Sequence, residues 1–176
     1  MTGFWNLIVR NLQQNESITM NKNNEFMKRA IELSEKNVHT NKGGPFGAVV
    51  VFENKIIGEG TNLVTCNIDP TAHAEMEAIR SACKKMGNFD LSGASIFTSC
   101  EPCPMCLSAI YWARIEKIYY ANTRLDAARI QFDDDLIYNE IPKDPLLRKI
   151  PAEQILRAEA QHVFDLWSRS IEKVSY

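Results

Sequence analysis

Two short stretches constrain this 176-residue chain more than anything else in it. They are Thr71-Ala72-His73-Ala74-Glu75 and Thr98-Ser99-Cys100-Glu101-Pro102-Cys103-Pro104-Met105-Cys106. Zinc favours cysteine sulfur and histidine nitrogen, and a catalytic zinc keeps three protein ligands with water in the fourth position. Cys103 and Cys106, three apart across a helix opening, can aim their sulfurs at one point. His73 supplies a third ligand from the start of another helix. Glu75 follows the histidine by two residues. Mid-helix it would be turned by about 200° from His73, but at a first turn, with the metal near the helix tip, its carboxylate can face the water. Zinc lowers the pKa of such a water to about 7, and a neighbouring carboxylate can take the proton and later return it to the substrate.

Each half of this pattern has a plain alternative. His-x-Glu at a helix start is common surface or core decoration, and Cys-x-x-Cys alone reads as structural zinc or a redox pair. Pro102 before the first cysteine, with a strand leading into it, makes the combination specific. Cys100 is the rival fourth ligand that would close the site and make it structural, though it sits on the strand side of Glu101-Pro102. Cys66 and Cys83 read as small buried side chains or spare thiols.

Five cysteines, three of them within seven residues, do not look like a disulfide framework. In a reducing compartment such spacing reads as metal binding or redox chemistry, so a cytoplasmic protein is expected. A 45% apolar and 24% charged composition suits one compact globular domain. The net charge of −2, with both signs interspersed, leaves no footprint of a nucleic-acid surface. No apolar run approaches a membrane span. Phe4, Trp5, Leu7, Ile8 and Val9 are preceded by no basic residue, so no secretory signal is expected.

Along the chain, residues 1–22 read as a flexible lead-in and 23–176 as a single domain. Helical spacing runs from Asn23 to Thr40, ending at Gly43-Gly44-Pro45. Phe46 to Phe52 and Lys55 to Gly60 form a hairpin around Glu53-Asn54. Thr71 to Met86 is expected as a helix, Ser95 to Ser99 as a buried strand, Pro104 to Arg114 as a helix and Lys117 to Ala121 as a strand. An amphipathic stretch covers Glu153 to about Lys173. Helices alternating with strands imply an α/β fold, a mixed sheet covered by helices.

With GGPFGAVVV at 43–51, DPTAHAE at 69–75 and TSCEPCPMCLSAIYWAR at 98–114, the chain resembles the cytidine-deaminase-fold superfamily. That group's signature couples His-x-Glu to Pro-Cys-x-x-Cys. FDDDLIYNEI at 132–141 and the C-terminal Tyr176 narrow the resemblance to its small bacterial guanine deaminases. The resemblance implies a three-layer sandwich with about five strands between helices, bound Zn2+, and hydrolysis of guanine to xanthine and ammonia in purine catabolism or salvage. It carries over His73, Cys103 and Cys106 as ligands and Glu75 as proton shuttle. It also suggests Asn62 and Asp134 as polar contacts to the purine. Tyr176 would cap the partner's site in a homodimer whose C-terminal segment, 125–176, is exchanged between subunits. These roles make physical sense: an amide both donates and accepts, and a carboxylate accepts from ring N–H or amino groups and can assist proton delivery. Asn62 also reads as a turn residue and Asp133 to Asp135 as a solvated acidic turn. Phe46 and Trp112 suit either stacking on the base or plain core.

Three rivals share part of the pattern. A transfer-RNA adenosine deaminase would need a basic surface. A deaminase of another small aminoheterocycle, cytosine-like or triazine, would differ in its pocket. A binding protein with structural zinc would have no need of Glu75.

Overall fold

In a computed structural model, residues 2–175 are described, with side-chain surroundings from Met20 onward. The chain divides into two compact units, Met1–Phe132 and Asp133–Tyr176.

The first unit is built on a four-stranded mixed sheet in the order β2-β1-β3-β4. Its strands are β1 (Gly47–Phe52), β2 (Lys55–Thr61), β3 (Ser95–Cys100) and β4 (Lys117–Asn122). β1 runs antiparallel to β2 and β3, while β3 and β4 are parallel. The hairpin turns through Glu53 and Asn54, with φ of 47° and 59°, the two left-handed residues a two-residue turn between twisted strands requires. The expected count of about five strands is corrected to four among the described residues. The reason lies just past β4. Thr123 and Asp126 form a reciprocal capping box that starts helix α5 (Arg124–Arg129) directly after Asn122.

Strand alternation sends side chains to two different layers. Val49, Val51 and Phe97 face helix α1 (Thr2–Thr40), packing with Phe26, Met27 and Leu33. Phe97 is sandwiched there, with Tyr119 stacked at 4.4 Å and Phe26 tilted at 5.4 Å. Ala48, Val50 and Ile96 face the other way, under Ala78, Ile79 and Ala82 of α3 (Ala74–Met86) and Ile110 of α4 (Pro104–Trp112). This is the expected three-layer α/β/α arrangement. α3 comes unusually close to the sheet at Gly60, where any Cβ would collide with the Ala74 carbonyl and the Ala78 amide. That approach seats the first turn of α3 directly over β2.

α1 begins well before Asn23, so the backbone of residues 2–22, read as a lead-in, is its N-terminal half. It ends at Thr40 because Asn41 turns left-handed, with φ 53°, ahead of the Gly-Gly-Pro cluster. The second unit carries α6 (Asp135–Glu140), a 3-10 turn at Pro145–Leu147 and α7 (Arg157–Arg169). Among its described residues none is buried. No helix among the described residues is long and apolar enough to cross a membrane.

Candidate metal centre

The sheet register gathers the relevant loops at one end. Gly47 opens β1 opposite Thr61, the last residue of β2, and Ala48 pairs with Thr98. Phe46, Asn62 and the loop after Cys100 therefore leave the sheet on the same side. Leu63 N–H donates to the Ala72 carbonyl at 2.8 Å, tying the Asn62 loop to the residue preceding His73.

α3 starts at Ala74, three residues later than expected. Asp69 explains the delay. Its Oδ1 accepts from both the amide and the hydroxyl of Thr71, each at 2.8 Å, holding 69–71 in a local turn. His73 is consequently the N-cap in an extended conformation, φ −72° and ψ 158°. Glu75 then sits in the first turn, where its carboxylate and the imidazole can converge. Cys103 is likewise the N-cap of α4, with Pro104 at the first helical position and Cys106 in the same turn. Two helix N-termini thus point at one spot, and their partial positive charge favours thiolate there.

His73 Nδ1 lies 3.6 Å from Cys103 Sγ and 3.5 Å from Cys106 Sγ. All three ligand atoms fall within 4.8 Å of one another. Zinc with nitrogen at about 2.05 Å and sulfur at about 2.3 Å, in tetrahedral geometry, sets those atoms about 3.6 Å apart. The donor set fits zinc in distance and kind. The hydrogen bond from the Cys106 thiol, assisted by His73, lowers Cys103 below the ordinary thiol range. The same bond, together with burial, holds the proton on Cys106. His73 is raised chiefly by its hydrogen bond to Cys103. A divalent metal at this point would displace the Cys106 proton and be held by both sulfurs and the imidazole.

Glu75 is only 6% exposed. Its Oε2 lies 3.5 Å from Cys106 Sγ and its Oε1 3.4 Å from Thr98 Oγ1, whose proton goes to the Cys100 carbonyl at 2.9 Å. Burial raises its pKa, and the negative charge on Cys103 adds to the rise. A carboxyl that readily holds a proton beside a metal-ligand triad has the properties of a general acid–base. Cys100 stays outside the triad, its thiol 3.5 Å from the Thr123 carbonyl. Among the described residues the metal-holding group is therefore His73, Cys103 and Cys106, without the fourth ligand that Cys100 would have supplied. Cys66 is exposed and Cys83 half-buried.

The remaining expected residues fare unequally. Asn62 is 5% exposed, and its Oδ1 accepts from Gly44 N at 3.2 Å and Val64 N at 3.3 Å. Two N–H donors fix the amide's orientation, so any ligand contact there is a donation from Nδ2. Phe46, whose carbonyl accepts from Asn62 N–H at 3.1 Å, meets Phe132 edge-to-face at 4.9 Å and packs against the core. Trp112 is not part of the core. It is 66% exposed at the last residue of α4, about 9 Å along the axis from Cys106 at 1.5 Å per residue. Asp134, half-buried, precedes α6 in the second unit. Tyr176 lies outside the described residues.

Thr98, whose hydroxyl lies beside the Glu75 carboxylate, and Asn37, buried on α1, were missed by sequence reasoning. The available signal for Thr98 was its place in a strand that otherwise reads as fully buried.

Residues 20–122 match the cytidine and deoxycytidylate deaminase zinc-binding region, and the chain belongs to this family of zinc-dependent deaminases. Within it, the chain is 49% identical over 151 residues to the guanine deaminase of Bacillus subtilis (strain 168), covering 86% of this chain and 97% of that one. The crystal structure of guanine deaminase from Bacillus subtilis superposes with a TM-score of 0.85 at 48% identity, covering 87% of this chain and 98% of the other. A tRNA-specific adenosine deaminase of Buchnera aphidicola subsp. Schizaphis graminum is 32% identical over 130 residues, 74% of this chain and 76% of the relative.

Proposed function

We propose that the chain hydrolyses guanine to xanthine and ammonia, with His73, Cys103 and Cys106 holding the zinc and Glu75 moving protons. The carrying observation is the near end-to-end similarity to a guanine deaminase, at 49% identity over 97% of that protein. Similarity to the Buchnera transfer-RNA enzyme is lower in identity and extent.

Zinc held by the triad would supply Lewis acidity and a nucleophilic water at neutral pH. Water adds to the purine carbon bearing the exocyclic amine, forming a C–O bond. Glu75 takes one proton from the attacking water and delivers it to the adjacent ring nitrogen. It then takes the second from the added hydroxyl and delivers it to the departing amine as the C=O bond forms. The C–N bond breaks and ammonia leaves. Burial of Glu75 suits both halves, because it keeps the carboxyl able to hold the proton between transfers. Asn62 donates through Nδ2 to an acceptor on the purine, and the Phe46 ring lines the same side. Asp134 is assigned to the amino and ring N–H groups of guanine and to assisting proton delivery.

The protein acts as a homodimer, with the C-terminal segment, 125–176, seated on the partner subunit and Tyr176 capping the partner's site. What supports this is the second unit itself. It exposes Phe164 by 70%, Trp167 by 52% and Val163 by 59% on α7, and Ile171 by 98% beyond it. A segment with so many large apolar side chains and none buried among its described residues gains stability by covering another surface. Cytoplasmic residence is supported by the cysteine spacing, three within seven residues, which suits metal binding in a reducing compartment.

Ammonia release should be measured with zinc-loaded protein on guanine, adenine, cytosine, cytidine, guanosine and a transfer-RNA anticodon stem. Turnover of guanine alone is expected. Preferential turnover of any other member overturns the substrate and leaves the zinc chemistry standing.

A further inference from the structure

Asn37 is a buried amide with no place in the chemistry described so far. It lies on α1, across the sheet from α3, and is only 2% exposed. Its Nδ2 donates to the Gly44 carbonyl and to the Asn62 carbonyl, both at 2.8 Å. One NH2 group therefore staples two loops, the turn after α1 and the segment following β2.

The Asn62 segment is pinned at almost every polar atom. Its amide donates to Phe46 O, its carbonyl accepts from Asn37, and its Oδ1 accepts from Gly44 and Val64 amides. Gly43 completes the frame. A Cβ there would collide with the Asn62 carbonyl and stand 2.7 Å from its Oδ1. Asn62 is thus held from two sides, by a donor pair that only an amide of this length supplies and by a glycine that leaves it room. Aspartate could not donate to either carbonyl, and serine has one proton for two acceptors. The only part of Asn62 that this frame does not consume is Nδ2.

We infer that Asn37 is a positioning residue for base selection: it fixes the Asn62 loop so that Asn62 Nδ2 meets the purine in one orientation. The inference rests on the reading of Asn62 as a purine contact. It adds that specificity is set partly from α1, on the face of the sheet opposite the helix that carries Glu75. Preorganisation of this kind acts on substrate binding and leaves proton transfer at Glu75 intact.

The test compares Asn62→Ala, Asn37→Ala, Asn37→Ser and the Asn37→Ala/Asn62→Ala pair, with steady-state guanine kinetics and zinc per chain. Asn62→Ala should raise KM about tenfold or more, the signature of lost binding. Asn37→Ala should reproduce most of that rise with kcat nearly unchanged and zinc stoichiometric, and Asn37→Ser should lie between. In the pair the losses should not add, since both act through one contact. If Asn37→Ala does not accumulate folded, Gly43→Ala reads the same loop from outside the core and should give the same KM rise. An unchanged KM in Asn62→Ala removes the purine contact and the inference with it. A normal loss in Asn62→Ala beside an unchanged KM in the foldable Asn37 and Gly43 variants, or additive losses in the pair, overturns the inference alone.

Discussion

The two units of this chain spend their apolar residues in opposite ways. Every buried residue among those described lies between Ala30 and Ile115, and small side chains dominate where α3 meets the sheet. Residues 133–175 contain Leu146, Leu147, Phe164 and Trp167, yet all are more than half exposed. The first unit has used its hydrophobic surface to build a rigid floor for the metal triad. The second leaves its own exposed. A catalytic centre must hold its groups to fractions of an ångström, so it belongs on the buried sheet. A segment that closes a site or joins two subunits needs unspent apolar area.

That contrast can be broken most directly at Glu75. Glu75→Gln should lower kcat by about 10²–10⁴ while zinc, measured per chain, stays bound. Unchanged turnover would sink the proton-transfer role. Removing zinc by chelation should abolish activity comparably, with recovery on adding Zn2+. Loss without recovery would point to a structural metal.

The division of labour between the units can be sharpened by mixing two inactive proteins. Glu75→Gln supplies a normal C-terminal segment, and a chain ending at Phe132 supplies a normal triad. Under an exchanged arrangement the mixture should regain part of the activity, and continued silence would restrict each segment to its own subunit.

Packing effects come next in size. Ile96→Ala, at a fully buried position between sheet and helices, should destabilise by about 2–5 kcal/mol, visible in denaturant melts. Phe164→Ala should leave the fold of the first unit intact and instead weaken association, read by light scattering. Equal losses of stability from both would erase the distinction.

The smallest effect concerns the ion pair joining α1 to β2. Arg29 Nε and Nη2 each donate to Glu59 at 2.8 Å, with both side chains more than a third exposed. The hydrogen bond from Arg29 lowers the Glu59 pKa below the ordinary carboxylate value. Its stabilisation is therefore present above that ordinary value and lost as pH falls through the lowered one. Solvent screening limits it to about 0.2–1 kcal/mol. Glu59→Gln should remove that part of the acid dependence, and an unchanged acid limb would show the pair contributes nothing.

How much of this was legible beforehand differs element by element. The hairpin could be read because β-branched runs flank Glu53-Asn54, a local pattern with a local cause. The zinc donors could be read because metal chemistry restricts residue type and spacing, whatever the surrounding fold. Helix starts were less legible. The side-chain turn at Asp69-Thr71 competes with the helix and moves its start to Ala74, and this shift is what makes His73 a cap. Trp112 was readable as an aromatic near the motif, but its exposure depends on where α4 ends relative to the sheet.

The sequence by itself determined the His73, Cys103 and Cys106 donor set, the carboxylate of Glu75 two residues after the histidine and the alternating α/β order, because each depends on side-chain chemistry or short-range periodicity. The tertiary structure decided the rest. The antiparallel register brings Phe46, Asn62 and the cysteine loop to one end, although nothing near them in sequence requires it. Glu75 is buried because glycines in β2 let α3 settle on the strand. Asn37 reaches two loops from across the sheet because close packing puts α1 there. Such contacts arise between residues far apart along the chain, and only the folded core brings them within hydrogen-bonding range.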